Sequence, residues 1–274
     1  MKNFERGKGA GPHYPACVNQ YAQFSQFEQL EYTVQDRYAL IRLDRPEQLN
    51  AFTTKLYGEV KSALRLAAAD DNVDVIVFTG TGRAFGTGGD LKEVLEKLDD
   101  PNPLALHAYD DMMPFEQIKY CEKTTIAAIN GICVAGGLAL ACVCDVQIAA
   151  RSATFGIPEA RIGIASSMIP SLLFGKVSLA KLRYLLVTAK MISAEEAERI
   201  GMITEVVDDA ALMDRTREVV REIGKTSPNA RALYKEYINQ IVPSAPSAHL
   251  YKSLTDPECR EGLRAFGEKR KARF

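Results

Sequence analysis

Residues 73–92 read VDVIVFTGTGRAFGTGGDLK. The segment Val73–Phe78 is an almost uninterrupted apolar run of strand length, which is typical of a strand buried on both faces. Thr79–Gly82 ends the run, and the Gly-rich turn Arg83–Lys92 leads into a helix predicted from about Asp90 to Leu98. A buried strand, a turn and a helix in this order predict an α/β fold.

The flanking segments continue this alternation of strands and helices. Upstream, period-two patterns at residues 30–34 and 38–43 predict a hairpin-like pair of strands, and helical spacing predicts a helix over Thr53–Ala69. Downstream, we expect helices and strands in turn: a helix at Leu104–Tyr120, a strand at Thr125–Ile129, a helix at Gly136–Cys142 and a strand at Val146–Ala149.

The C-terminal third is mostly helical. Ser193–Glu196 is a capping box that opens a short helix ending at Gly201, and a brief strand follows at Ile203–Val207. Three further helical stretches are predicted from residue 210 on, broken by Pro243 and Pro246. We therefore divide the chain into an N-terminal extension (1–27), an α/β core (28–205) and a helical C-terminal region (206–274).

Composition narrows the classes of function. The chain has 274 residues and a formal net charge of −1, which gives no electrostatic reason to expect nucleic acid or an anionic membrane as a partner. Its six cysteines form no CxxC pair, so free thiols in a reducing compartment are expected, and core packing is favoured over metal binding for Cys142 and Cys144. The longest apolar run, Ile132–Cys144, is shorter than the about 20 residues that cross a bilayer, and the N-terminus has no signal-peptide pattern. We expect a soluble cytoplasmic protein without a metal.

Three segments are candidates for chemistry: residues 83–92, 130–139 and 153–163. The first two are Gly-rich turns before helices, and two such turns could aim backbone N–H groups at one developing oxyanion, or could be simple connections. Neither matches a nucleotide-binding signature. In the third segment, Glu159 is either a general base with a raised pKa in apolar surroundings or an exposed loop residue.

The order and spacing of these segments resemble the crotonase (enoyl-CoA hydratase/isomerase) family. Residues 43–52, LDRPEQLNAF, are similar to its opening strand and turn, residues 192–202 to a late helix, and residues 260–274 to its C-terminal helix. The resemblance extends from Leu30 to Phe274. It implies a ββα superhelical core and a helical C-terminal region that makes a trimer, often paired into a hexamer.

The resemblance also implies roles for particular residues. The backbone N–H groups of Thr87 and Gly136 would bind the thioester oxygen, and Glu159 would be the acid/base. The groove for the substrate's coenzyme A portion would lie along residues 47–50 and 87–91, with six of them as substrate-binding residues: Gln48, Leu49, Gly88, Gly89, Asp90 and Leu91. Lys269 and Lys271 could contact the phosphates, from this subunit or another. No separate cofactor is implied, because coenzyme A enters as part of the substrate.

Two departures from the family pattern leave the reaction open. Many hydratases carry a second glutamate on the helix after the second turn, and that position is Ala139 here. A site with Glu159 as its single carboxylate resembles the sites of several enoyl-CoA isomerases and of hydratase-lyases that act on aromatic acyl-CoAs. The segment after Gly163 is also shorter than in many relatives, which leaves the acyl group of the substrate open.

Four other polar residues are candidates for the role of the second hydratase glutamate. Ser166, Ser167, Asp110 and Asp111 could place a water or a second proton donor, or could be a helix cap and a solvated helix face. The alternatives to an isomerase-type or hydratase-type enzyme are a hydratase-lyase and a non-catalytic family member that binds coenzyme A or RNA.

Overall fold

Strands and helices alternate in a computed structural model that describes residues 27–99 and 113–274. Apart from residue 27, the proposed N-terminal extension lies outside the described residues, as do Asp110 and Asp111. The described strands are β1 Leu30–Gln35, β2 Tyr38–Leu43, β3 Val75–Gly80, β4 Ala84–Gly86, β5 Thr124–Ile129, β6 Ile132–Val134, β7 Val146–Ala150, β8 Thr154–Gly156, β9 Ile192–Ser193 and β10 Glu205–Val207.

The described helices are numbered in chain order and lie between the strands and after the last one. They are α1 Thr54–Ala69, α2 Leu91–Asp99, α3 Phe115–Lys119, α4 Gly136–Val143, α5 Met168–Leu173, α6 Leu179–Thr188, α7 Ala194–Arg199, α8 Leu212–Ile223, α9 Pro228–Ile241, α10 Ser247–Leu254 and α11 Pro257–Gly267. Short 3-10 helices lie at Pro46–Gln48, Pro158–Ile162 and Asp209–Ala211. In the part of the chain that is described, no helix is long and apolar enough to cross a membrane.

The C-terminal region holds four helices, so the prediction of three was wrong. The extra break lies between α10 and α11, at Thr255 and Asp256. The Asp256 side chain accepts from the backbone N–H of Glu258, and Pro257 is the first residue of the new helix. An acidic cap followed by proline starts a helix rather than continuing one.

Two sheets form the core. The larger has the strand order β1-β2-β3-β5-β7-β10 and the smaller has the order β4-β6-β8-β9. The β1–β2 pair is the predicted antiparallel hairpin, and β2, β3, β5, β7 and β10 are parallel neighbours. The central strand β3 is buried on both faces, as its apolar run predicts, with Ile76 and Phe78 in one core cluster and Val75 and Val77 in another.

A repeat relates the two sheets. After β3, β5 and β7 in the larger sheet, the chain adds β4, β6 and β8 to the smaller one, and α2 and α4 follow β4 and β6. The strands β4, β6 and β8 are parallel neighbours. Their carboxyl ends therefore lie side by side, and each strand lies near the start of one of the three candidate segments of the sequence.

Free cysteines line the core. Cys121, Cys133, Cys142, Cys144 and Cys259 are unpaired and buried, whereas Cys17 lies outside the described residues. Burial raises the pKa of Cys142 and of Cys259 to about 11, and raises that of Cys133 well above its usual value. The thiols therefore stay protonated at neutral pH and pack as small apolar groups.

Candidate active site

The first Gly-rich turn follows β4 and is fastened to the segment before α1. The backbone N–H of Phe52 donates to the Gly88 carbonyl at 2.8 Å, and the N–H of Asp90 donates to the Phe52 carbonyl at 2.9 Å. The Thr87 hydroxyl donates to the Leu49 carbonyl at 3.2 Å. The turn is thus held along both sides of Phe52, and the position of the Thr87 amide is fixed by backbone hydrogen bonds.

The second turn follows β6 and leads into α4. Ala135 adopts φ 50° and ψ −126°, a conformation that is rare for a residue with a side chain. Strain of this kind costs about 1–3 kcal/mol and is common at functional sites. Gly136 is the first residue of α4, so its N–H has no acceptor within the helix. The turn therefore presents a backbone donor at a helix N-terminus.

The two turns touch each other. A Cβ on Gly136 would stand 3.1 Å from the Gly88 Cα, and a Cβ on Gly88 would stand 2.9 Å from the Gly136 nitrogen. Gly88 also has φ +88°, which favours glycine. This close approach needs both glycines, and it brings Thr87 and Gly136 to the wall of one cavity.

That cavity has a volume of about 920 Å³, within the range of small-molecule sites. The predicted site residues that line it are Gln48, Leu49, Thr87, Gly89, Asp90, Leu91, Gly136 and Glu159. Gly88 lies behind the wall, against Ala135 and Gly136, and does not line the cavity itself. Ser166 lines it but Ser167 does not, and the exposed Lys269 and Lys271 lie outside the lining.

Asn50 anchors the segment that carries Gln48 and Leu49. Its side chain is fully buried and accepts from the Arg45 N–H at 2.8 Å. It donates to the Thr81 carbonyl at 3.1 Å and to the Ala84 carbonyl at 2.7 Å. One amide thus ties the segment before α1 to both ends of the β3–β4 connection.

Glu159 lies in the 3-10 helix Pro158–Ile162, which follows β8 and ends at Gly163 in a left-handed conformation. Its Oε2 atom is buried and has no hydrogen-bond partner among the described residues. Loss of hydration is the largest cause that raises the pKa of Glu159, to about 7. Glu159 is therefore not an exposed loop residue, and it can exchange a proton near neutral pH.

The position of the second hydratase glutamate also lies on this cavity. Ala139 is 2% exposed and lines the wall, one turn after the start of α4. Its methyl group has no acid–base chemistry. Among the described lining residues, the other carboxylates are Glu47 and Asp90, and Asp90 pairs with Arg45 at 3.3 Å.

Two parts of the site were not predicted from the sequence. Tyr57 of α1 lines the cavity, whereas the helical spacing predicted only that a helix spans this position. The C-terminal helices α10 and α11 add apolar residues: Leu250, Leu254, Leu263 and Phe266. No local signal marks these residues, because their contact with the cavity depends on how α11 packs on α2 and residues 158–162, with α10 beside α11.

Comparison with known proteins identifies the family to which the chain is similar. The model of the family described as enoyl-CoA hydratase/isomerase matches residues 33–274. A probable enoyl-CoA hydratase of Rhizobium meliloti is 34% identical over 256 residues, which are 90% of this chain and 98% of that protein. An (E)-benzylidenesuccinyl-CoA hydratase of Thauera aromatica is 31% identical over 252 residues, 88% of this chain and 96% of that protein.

A solved structure agrees with these relatives. The enoyl-CoA hydratase subunit I of Geobacillus kaustophilus is 31% identical, with a TM-score of 0.73, covering 91% of this chain and 99% of its own. The repeated ββα core and its cavity thus define an α/β enzyme with the crotonase fold. The chain belongs to the enoyl-CoA hydratase/isomerase family, which confirms the resemblance seen in the sequence.

Proposed function

We propose that this enzyme acts on an enoyl-CoA thioester, with Thr87 and Gly136 as a backbone oxyanion hole and Glu159 as a single acid/base. The observation that carries the proposal is the buried Oε2 of Glu159, which has no partner among the described residues and shares a cavity with both turns. The names of the relatives support the substrate class.

The chemistry follows from these three groups. The two amide N–H groups bind the thioester oxygen and stabilise the negative charge that develops on it. The Glu159 carboxylate removes a proton from one carbon of the acyl chain, which leaves a dienolate, and returns that proton to another carbon. The double bond shifts and no atom is gained or lost. A pKa of about 7 suits a group that must both accept and donate this proton.

Hydration is a second candidate. The relatives named as hydratases favour it, and Ser166 places a hydroxyl on the same cavity wall. That hydroxyl oxygen accepts from the Met168 N–H at 3.1 Å, so its orientation is fixed. Water held by Ser166 and Glu159 would add across the double bond despite the alanine at position 139. The hydratase-lyase alternative belongs here, because the Thauera relative is named for an aromatic acyl-CoA.

The substrate's coenzyme A portion is proposed to lie along Gln48, Leu49, Gly89, Asp90 and Leu91, with Gly88 shaping the turn behind them. Lys269 and Lys271, which are exposed at the end of the chain, are proposed to meet its phosphates. No cofactor other than the substrate's own coenzyme A is needed for either reaction. The free cysteines suit a cytoplasmic enzyme.

The test uses crotonyl-CoA, 3-butenoyl-CoA and cinnamoyl-CoA in deuterated water, followed by mass spectrometry. Wild-type protein is compared with Glu159→Gln, and Glu122→Gln, which removes an exposed carboxylate outside the cavity lining, is the matched control. We expect deuterium uptake and double-bond migration to be lost in Glu159→Gln and kept in Glu122→Gln. Water addition that also depends on Glu159 would select hydration instead. Full activity of Glu159→Gln would overturn the proposal.

A further inference from the structure

Tyr57 is the one aromatic hydroxyl among the described residues that line the cavity. It lies on α1, an element outside the two Gly-rich turns and the Glu159 segment. Its side chain is 2% exposed. Buried tyrosine hydroxyls are usually hydrogen-bonded, so one that reaches a ligand cavity can direct polar chemistry there.

The hydroxyl lies beside the proposed oxyanion hole. A Cβ on Gly136 would stand 3.3 Å from the Tyr57 hydroxyl oxygen and 3.1 Å from the Gly88 Cα. The phenol therefore meets the seam where the two turns touch, next to the residue whose N–H is the proposed donor. Gly136 itself places no side chain between this donor and the phenol.

The ring is held firmly. It stacks on Phe52 with a centroid distance of 4.9 Å and an interplanar angle of 6°, and it meets Phe115 edge-on at 6.1 Å and 81°. Phe52 is itself fixed by backbone hydrogen bonds to Gly88 and Asp90. Because the ring is already ordered, substrate binding needs little further loss of side-chain entropy, as is required of a preorganised group.

We propose that Tyr57 is a further catalytic residue, whose hydroxyl contacts the thioester oxygen at the oxyanion hole and stabilises the enolate. The inference rests on the proposed function, because it assumes a thioester bound at Gly136. The phenol strengthens its interaction as charge develops on the oxygen, so it acts on the transition state more than on substrate binding. No proton is transferred from Tyr57.

The first experiment compares turnover by Tyr57→Phe with wild type, on whichever enoyl-CoA of the panel the wild type converts. Tyr57→Phe keeps the ring and its stacking. We expect kcat to fall by about 100-fold with little change in KM, at the lower end of the range for the loss of one oxyanion-hole donor. Tyr38→Phe is the matched control, because Tyr38 is fully buried in the other core cluster and does not line the cavity. Its hydroxyl accepts a hydrogen bond from the Gln35 side chain.

The second experiment needs no turnover. Acetoacetyl-CoA binds as a keto or an enolate form, which differ in ultraviolet absorbance, and an oxyanion hole lowers the pH at which the bound enolate forms. The titration is made in a Glu159→Gln background, since Glu159 titrates in the same range. We expect Tyr57→Phe to raise the midpoint by about one pH unit, the size of one hydrogen bond to a charged group.

The outcomes separate the two proposals. Wild-type values of both kcat and the enolate midpoint in Tyr57→Phe, with activity lost in Glu159→Gln, would overturn the role of Tyr57 and leave the proposed function standing. Failure of the wild-type protein to bind acetoacetyl-CoA and to convert any enoyl-CoA of the panel would overturn both. A lower kcat and a raised midpoint in Tyr57→Phe, absent in Tyr38→Phe, would support both.

Discussion

At the scale of single residues, burial of one carboxyl group decides much of the chemistry. Among the described residues no cation offsets the burial of Glu159, and its pKa of about 7 results from lost hydration. The same burial has a consequence for stability. Because the pKa is raised in the folded state only, the folded protein holds a proton between about pH 4.5 and pH 7 that the unfolded chain releases.

Stability therefore falls as the pH rises through this interval, and Glu159→Gln removes the effect. We expect Glu159→Gln to be more stable than wild type at pH 8, by up to about 3 kcal/mol, and to differ little at pH 4.5. Urea unfolding at the two pH values measures this difference, with Glu47→Gln as a control for the loss of one charge. A variant that is less stable than wild type at pH 8 would contradict the prediction.

A carboxylate introduced at position 139 should change the pKa of Glu159, and this shift can be measured from the pH dependence of the reaction. Both residues line the cavity, so the new charge in Ala139→Glu should raise the pKa of Glu159 above about 7. Since the ionised form is the proposed base, the pH at which kcat/KM falls on the acid side should move upward from near 7. The pH–rate profile checks this shift, and the uncharged Ala139→Gln should leave the acid limb in place.

At the scale of elements, the site depends on how connections are fastened to one another. The buried Asn50 amide donates two hydrogen bonds to backbone carbonyls of the β3–β4 connection, and its oxygen accepts a third from the Arg45 N–H in its own segment before α1. In Asn50→Asp, a carboxylate of nearly the same shape would face the Thr81 and Ala84 carbonyls, where the amide nitrogen now donates to them. We expect a loss of roughly 2–4 kcal/mol of unfolding free energy.

Urea unfolding at pH 7 measures the effect of Asn50→Asp. Asn229→Asp is the matched control, because Asn229 is exposed in the first turn of α9, where an acidic side chain suits the helix N-terminus. The control should stay within about 0.5 kcal/mol of wild type. An equal effect in the two variants would mean that Asn50 does not hold the elements together.

At the scale of the whole molecule, α9 presents an apolar face to solvent. Tyr234, Tyr237, Ile238 and Ile241 recur at helical spacing, and the two isoleucines are 60% and 75% exposed. An apolar face of this kind is typical of a protein–protein contact. It supports the expectation of a homotrimer, or of two trimers paired into a hexamer, which stays a prediction.

The double variant Ile238→Glu/Ile241→Glu should shift the protein toward a monomer, because the charges would be buried without partners at the contact. Analytical ultracentrifugation of wild type and variant gives the two masses. Val34→Lys is the matched control, since it changes an exposed apolar residue of β1, an edge strand of the larger sheet. A variant with the mass of the wild-type protein would exclude this face as the contact.

The sequence by itself determined the strand–helix order, the two Gly-rich turns and Glu159 as candidate residues. These features are local: the apolar run at residues 73–78 has to be buried on both faces, and turns before helices leave backbone donors unpaired. The sequence left open whether the turns meet, whether Glu159 is buried and which helices close the cavity.

Only the tertiary structure decided those points. The parallel order of β4, β6 and β8 brings Thr87, Gly136 and Glu159 to one cavity, although they lie 49 and 23 residues apart in the chain. The packing of α1 places Tyr57 against Gly136, and α10 and α11 fold back to supply an apolar wall. The burial of Glu159 and the contact between the two turns depend on segments that are distant in the chain, so no local pattern of residues predicts them.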